Sequence, residues 1–584
     1  MSPRVLRVVA GVCVAYSILY WVPGSPLPDK LPWGVITQGV IFGSSNALLA
    51  MGLILVHRTT RIVNFAYGAL GAMAGAVTVG LFVGQHWNYW LSLLMGLVVG
   101  TAAGAAVDVL VLRRFDRSSR LVATVSTLGL AQLLGAIAIG LVFGLGADGL
   151  LGSIDTPLSD WDMFIRPYPV RGDHFLMLAL VPLAVGGLSW FLLRTDIGRA
   201  VRAAADDSDR ARLLGIPIGR LRTIVGALAG ALATATYITN VPFTGVLPQA
   251  GISATGILPG LTIAVVARFK SLPTALFTGI GLGIAEWGVR WNTSKESAFN
   301  VVFLVVILVA LLVQKGAQSR AEAAGSAWEG ATALRPLPRE IRELPIVRRA
   351  ALALSVVSAV VVGFLAWNAA PSTIVLMSFA CAWAMVGLSL VMLTGWGGNV
   401  SLGQFAIVGV GAMTAGNLLV RWNVDAFVAL AAAGVVGGLI SAVIGIPALR
   451  IPGFGLAVAT VAFAVSFDAY FLNPVNFPSF VPSQIVRPVL WKRFDLGEER
   501  NVLWVALAGL LAAVAVVRAV RRTRIGRVVI ATRDNPRFAA ALAVPSTKVR
   551  LQAFVLAGAI AGVAGGIYIL ALGGVGQRTF PPEA

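Results

Sequence analysis

Gly198-Arg-Ala-Val-Arg-Ala-Ala-Ala-Asp-Asp-Ser-Asp-Arg-Ala-Arg-Leu-Leu-Gly-Ile-Pro217 is a charged island between two apolar runs. The chain repeats it without a gap as Gly526-Arg-Val-Val-Ile-Ala-Thr-Arg-Asp-Asn-Pro-Arg-Phe-Ala-Ala-Ala-Leu-Ala-Val-Pro545. Each copy is followed by a basic patch (Arg220 and Arg222; Lys548 and Arg550) and then by an Ala/Gly-rich apolar run. In the second copy Asn535 suits an N-cap and Pro536 the first helical position, and the short helix they open stops near Ala543 and Pro545. The first copy places Asp207 and Ser208 at the same positions, with Gly215 as C-terminal cap and Pro217 beyond it. Upstream, Gly198 to Ala205 and Gly526 to Thr532 are predicted to form a further short helix. Each island therefore reads as two short helices with an elbow, presenting Ala211 and Leu214, or Ala539 and Leu542, among charges such as Asp206 and Asp534. An amphipathic loop lying in the membrane interface would explain one island. Its duplication predicts two docking points for something outside the bilayer.

The surroundings are membrane. The chain has 584 residues, of which 58% are hydrophobic and 12% charged, against roughly 25% charged in a soluble domain. Its mean hydropathy is +0.86. Apolar runs such as Phe175 to Leu193, Val301 to Val313 and Val505 to Val517, taken with their flanks, approach the roughly 20 residues a helix needs to cross hydrocarbon. The 65 glycines suit close helix packing in lipid. A net charge of +20 could suggest nucleic acid, but the basic residues sit in short loops: His57 to Arg61, Arg113 to Arg120, Arg194 to Arg222, Arg268 to Lys270, Lys315 to Arg349 and Arg518 to Arg550. If each span crosses once, these loops share one face, which the positive-inside rule makes cytoplasmic. The loop from Ala147 to Asp173 falls opposite and is acid-biased. The charge orients the protein and gives no reason to expect a nucleic-acid partner. Cys13 and Cys381 lie in apolar segments, away from any extracellular disulfide. His57, His86 and His174 form no metal-ligand spacing, so no metal site is expected.

Candidate spans in the first half are 5 to 22, 33 to 56, 62 to 84, 89 to 112, 121 to 144, 174 to 193, 221 to 241, 251 to 267, 272 to 290 and 299 to 313. The first lacks a small-residue cleavage site and reads as a retained helix rather than a signal peptide. A polar stretch with Pro336 and Pro338 follows. The second half offers 349 to 367, 373 to 394, 400 to 420, 426 to 447, 453 to 471, 501 to 519 and 551 to 571, in the same order. The expected fold is an all-α polytopic membrane protein of about 17 spans, built as two parallel-repeat halves. The halves are residues 1–313 and 348–584, joined by a cytoplasmic linker at 314–347. By the register of the first half, the spans that should follow 551 to 571 are missing, so the sequence is expected to be a fragment or its second half asymmetric.

Asn64, Tyr67, Ser401 and Gln404 stand at the cytoplasmic starts of spans. They could cap helix ends or line a translocation path, where neutral groups suit a zwitterion. The nearby Gly68 and Gly403 read more simply as helix-packing positions. Ionisable residues deep in spans are scarce: Asp108, Glu286 and Asp468, all toward span ends. Ion-coupled carriers usually need intramembrane carboxylates or unwound coordinating helices, which speaks against that class. No Gly-x-x-x-x-Gly-Lys-Ser/Thr occurs, so no ATP site of P-loop type is expected in this chain.

The islands resemble the coupling loops, the "EAA" element, of ATP-binding-cassette importer permeases, and the surroundings resemble the family that imports branched-chain and other hydrophobic amino acids. Arg58-Thr-Thr-Arg-Ile-Val-Asn-Phe-Ala-Tyr-Gly68 is similar to the signature of one permease subunit. Leu393-Thr-Gly-Trp-Gly-Gly-Asn-Val-Ser-Leu-Gly-Gln-Phe405 and Pro447-Ala-Leu-Arg-Ile-Pro-Gly453 are similar to stretches of the other. The family often has His where this chain has Tyr67 and Gln404. The resemblance implies a fused permease of a bacterial inner membrane with no catalytic residue and no cofactor of its own. ATP and Mg would be held by two separate ATPase subunits. The coupling residues would be Asp206, Asp207, Ala211, Leu214, Gly215, Pro217, Asp534, Asn535, Ala539, Leu542 and Pro545. A soluble extracytoplasmic substrate-binding protein would dock on the outer loops. Urea and short amides are the nearest alternative substrates, and an ion-coupled secondary amino-acid carrier is the alternative class.

Overall fold

The computed structural model describes residues 31–115, 120–147, 154–244, 254–314, 371–398, 401–449 and 455–580, apart from 61, 207, 294, 296, 479, 483, 486, 491–493 and 577–578, with scattered positions in 344–370. The expected span at 5 to 22, nearly all of the linker at 314–347, most of the span at 349–367, and Asp207 lie outside the described residues. The chain divides into two compact units, Met1–Gly325 and Ser326–Pro582.

In the first unit, α1 (Trp33–Thr60) leads through the signature segment into α2 (Tyr67–Val79), which runs on as a π-helical turn, Gly80–Gly84. Next come α3 (Tyr89–Leu110), α4 (Arg120–Gly144), the antiparallel hairpin β1 (Asp162–Ile165) and β2 (Tyr168–Arg171), and α5 (Gly172–Arg194). The island follows as α6 (Asp196–Asp206) and α7 (Ser208–Leu213), then α8 (Ile218–Thr244), α9 (Ala254–Val266), α10 (Leu272–Asn292) and α11 (Ala298–Val313).

The second unit repeats that order. It runs through α12 (Pro371–Leu390) with a π-helical turn at Val391–Trp396, then α13 (Gln404–Trp422), α14 (Ala426–Ala448) and α15 (Gly455–Ser466). A short hairpin, β3 (Val489–Leu490) and β4 (Phe494–Asp495), is followed by α16 (Glu499–Arg522), the island helices α17 (Arg524–Asp534) and α18 (Pro536–Ala541), and α19 (Ser546–Leu572). The expected all-α fold thus carries two small hairpins, both in connecting loops.

Local chemistry explains why the elements recur. Asn88 opens α3 by accepting from the Trp90 N–H at 3.0 Å. Asp425 opens α14 by accepting from Phe427 at 2.9 Å. Both satisfy a donor that a helix start leaves orphaned. Thr195 and Thr523 open the islands alike, their hydroxyls accepting from the Gly198 and Gly526 N–H groups at 2.9 and 3.4 Å.

Among the described residues, 12 helices are long and apolar enough to cross a membrane, and three shorter apolar helices occupy the places of the spans expected at 251 to 267, 299 to 313 and 453 to 471. Outward-facing Leu94, Leu133, Leu183, Leu439 and Leu511 suit helices solvated by acyl chains.

Close approach marks where α8 and α19 lie. A Cβ on Gly230 of α8 would stand 2.2 Å from the Gly100 carbonyl oxygen of α3, and one on Gly562 of α19 would stand 2.2 Å from the Ala433 carbonyl oxygen of α14. The helix that follows each island is thereby pressed backbone to backbone against its own unit.

Candidate functional site

Each island folds as two helices, α6 and α7 in the first and α17 and α18, meeting at Asn535, in the second. In the second, Asn535 Oδ1 accepts from the Phe538 N–H at 3.0 Å with Pro536 at the helix start, and Ala543 ends the turn in the left-handed region at φ 56°. In the first, Gly215 takes φ 78°, its N–H bonding the Arg212 carbonyl and that of Ile216 bonding the Ala211 carbonyl. The short helices do not present their alanines as expected. Ala211 and Ala539 are 2% and 4% exposed, whereas Leu213, Leu214, Phe538 and Leu542 are 88%, 80%, 62% and 63% exposed. Ala211 and Ala539 seat the helices, and the four large apolar side chains form the free surface. A six-residue helix is too short for its sequence period to reveal its face, so Leu213 and Phe538 were not legible beforehand. Asp206, Asp534, Pro217 and Pro545 are exposed beside these surfaces.

The signature segments lie inside each unit. Tyr67 donates from Oη to the Ala229 carbonyl of α8 at 2.6 Å. It fits because residue 52 is glycine: a Cβ there would stand 1.6 Å from Tyr67 Oη. In the second unit, Gln404 Nε2 reaches the Ser389 hydroxyl at 3.1 Å and the Ala557 carbonyl of α19 at 3.4 Å. The register that places Tyr67 on Gln404 also places Gly52 on Ser389, and the register of the islands places Ala229 on Ala557. A second tie is repeated as well. The Phe65 N–H donates to Thr127 Oγ1 of α4 at 3.2 Å, and the Leu402 N–H donates to Thr460 Oγ1 of α15 at 3.1 Å.

Asn64 accepts from the Ala66 N–H at 3.0 Å, and the Ser401 hydroxyl meets Gln404 Oε1 at 3.4 Å. None of Asn64, Tyr67, Ser401 and Gln404 is more than 6% exposed. Gly68 has Ile257 at 3.8 Å from a built Cβ, so it is not tightly packed; Gly403 is, with the Thr460 carbonyl oxygen at 2.1 Å. The cavity beside Asn64 and Tyr67 measures about 20 Å³, roughly one water's worth of space. In this conformation Tyr67 and Gln404 join helices, while Asn64 and Ser401 bond within their own segments.

That cavity is also bordered by Asp108 and Arg222. Asp108, buried near the end of α3, stands 3.3 Å from Arg113 Nε and 3.5 Å from Arg222 Nε, and accepts from the Thr223 hydroxyl at 2.9 Å. Arg113 Nη2 donates to the Gly219 carbonyl at 2.7 Å. The base of α3 is thus locked to the first turns of α8. In the second unit the same register puts Gly445 at the place of Asp108, with Phe554 and Leu551 at 2.6 and 2.9 Å from a built Cβ. There Arg550 turns to the Thr532 carbonyl of the island at 3.2 Å, and Arg533 donates to the Gly395 carbonyl. The first unit locks α8 to α3 through a buried carboxylate, whereas the second packs α19 against α14 and directs its arginines to backbone carbonyls. Asp108→Asn is therefore expected to cost about 3 kcal/mol by removing the buried carboxylate that Arg113, Arg222 and Thr223 share. Thermal unfolding in detergent checks this, and an unchanged melting temperature would contradict it.

A family model described as "Branched-chain amino acid transport system / permease component" matches residues 35–311 and again 372–582. The chain belongs to this permease family. The high-affinity branched-chain amino acid transport system permease protein LivH of Salmonella typhimurium is 26% identical to the permease over 266 residues, covering 43% of this chain and 83% of that protein. BraD of Pseudomonas aeruginosa, of the same description, is 24% identical over 263 residues, 43% of this chain and 84% of that protein. An autoinducer 2 import system permease protein, LsrC of an Enterobacter species, is 31% identical over 215 residues, 36% of this chain and 58% of that protein. The permease is a multi-pass membrane protein with two family copies in tandem.

Proposed function

We propose that this permease is the membrane component of an ATP-binding-cassette importer for branched-chain amino acids. Separate ATPase subunits would energise it, and an extracytoplasmic binding protein would supply it. The observation that carries the reading is the double family match joined to two islands that each end in exposed leucine or phenylalanine. Soluble apolar side chains set among charges favour a docked protein over a solvated loop. ATP binding would close the ATPase pair and draw the islands with it. The helices after the islands, pressed against α3 and α14, would then carry each half between inward-open and outward-open arrangements. The permease contributes the path and the two-state element and performs no covalent chemistry. ATP and Mg belong to the partners.

The likeness to an autoinducer 2 import permease supports a second substrate class within the same machinery. Competition decides between them. Uptake of labelled leucine by cells carrying the permease with its ATPases and binding protein is expected to be blocked by excess isoleucine and valine. It should be unaffected by urea, short amides or autoinducer 2; inhibition by one of those instead would replace the substrate.

A further inference from the structure

Two side chains of different chemistry, a phenol and a carboxamide, reach the same backbone acceptor in two diverged halves. Tyr67 donates to Ala229 and Gln404 to Ala557, repeat-equivalent carbonyls on the helices that leave the islands. The third residue at each junction has changed to match. Gly52 makes room for the phenol, and Ser389 bonds the shorter carboxamide. A carbonyl inside a helix already accepts from its own helix, so these donors are not needed to satisfy it. What the two junctions share is the connection itself. Thr127 and Thr460 hold the other side of each segment.

We infer that Tyr67 and Gln404 are positioning residues that tie each signature segment to its island-bearing helix, so that displacement of an island moves the segment with it. The inference rests on the transport reading above. The test uses the whole permease with its ATPase subunits and binding protein in lipid vesicles. Tyr67→Phe and Gln404→Met keep volume and remove the donor. Both are expected to assemble and to hydrolyse ATP at the wild-type basal rate, while stimulation by leucine-loaded binding protein falls roughly tenfold, as for loss of a buried hydrogen bond. Transplanting the second junction into the first, Gly52→Ser with Tyr67→Gln, should keep stimulation, whereas Gly52→Ser with Tyr67→Met should not. A role in packing alone would treat these two pairs alike.

Amide hydrogen exchange on the permease alone gives a second readout that needs no transport. Exchange at 64–68 in Tyr67→Phe and at 401–405 in Gln404→Met is expected to rise roughly tenfold. Unchanged exchange, or full stimulation in both donor-less variants, would overturn the inference. A wild-type complex that moves no leucine with ATP would refute the transport reading, and the exchange result would still decide the tie.

Discussion

Changing Leu214 and Leu542 together to Glu should abolish ATP-driven uptake while leaving both membrane units folded. The two side chains are 80% and 63% exposed, at the ends of the short island helices. A carboxylate in their place meets water, and surface changes of this kind alter stability by only about 0.5 kcal/mol. At a docked interface the balance reverses. Each leucine buried against a partner contributes roughly 1.5–3 kcal/mol, and each Glu adds a charge that must be desolvated. Loss of both should weaken ATPase association at least ~100-fold. Co-purification of the ATPase subunits and vesicle uptake read the loss, and thermal unfolding of the permease serves as control. The contrast with the neighbouring alanines is sharp, since Ala211 and Ala539 are buried. Glu at those positions would unseat the short helices themselves and lower stability as well as docking. Normal co-purification of the leucine double variant would remove the islands from the interface.

The other large effect is steric. Gly52→Ser places a Cβ 1.6 Å from Tyr67 Oη and 2.3 Å from Cζ. The ring cannot swing aside, because it is fully enclosed and its hydroxyl is held by the Ala229 carbonyl at 2.6 Å. Overpacking of this kind costs about 3 kcal/mol or more, and the variant should yield little monodisperse protein. Tyr67→Gln in the same chain should restore it, because the second unit already folds with Ser389 beside Gln404. Extraction yield and melting temperature measure both steps. Wild-type behaviour of the single variant, or failure of the pair to recover, would show that the two junctions are not equivalent.

What could be read from the chain follows the range of the forces involved. The elbows were legible because Asn535, Pro536 and Gly215 act on their own neighbours, within one turn. The order of spans was legible because hydrocarbon selects long apolar runs. Asn64, Tyr67, Ser401 and Gln404 could be singled out as polar residues at span ends. Their partners could not, because Ala229 and Ala557 are far off in sequence and offer only a carbonyl that every residue possesses. Asp108 looked like a span-end carboxylate, and only the crossing of α3 over α8 brings Arg222 and Thr223 to it.

On the proposed function, energy enters from outside the chain, through the islands. The most direct measurement is leucine accumulation in vesicles holding the permease, its ATPase subunits and the loaded binding protein, with either ATP or a proton gradient as the energy source. Accumulation with ATP, collapse of a proton gradient without effect, and loss of uptake in the Leu214→Glu, Leu542→Glu variant are the predicted results. Accumulation driven by the proton gradient alone, with no ATP and no ATPase subunits, would contradict it.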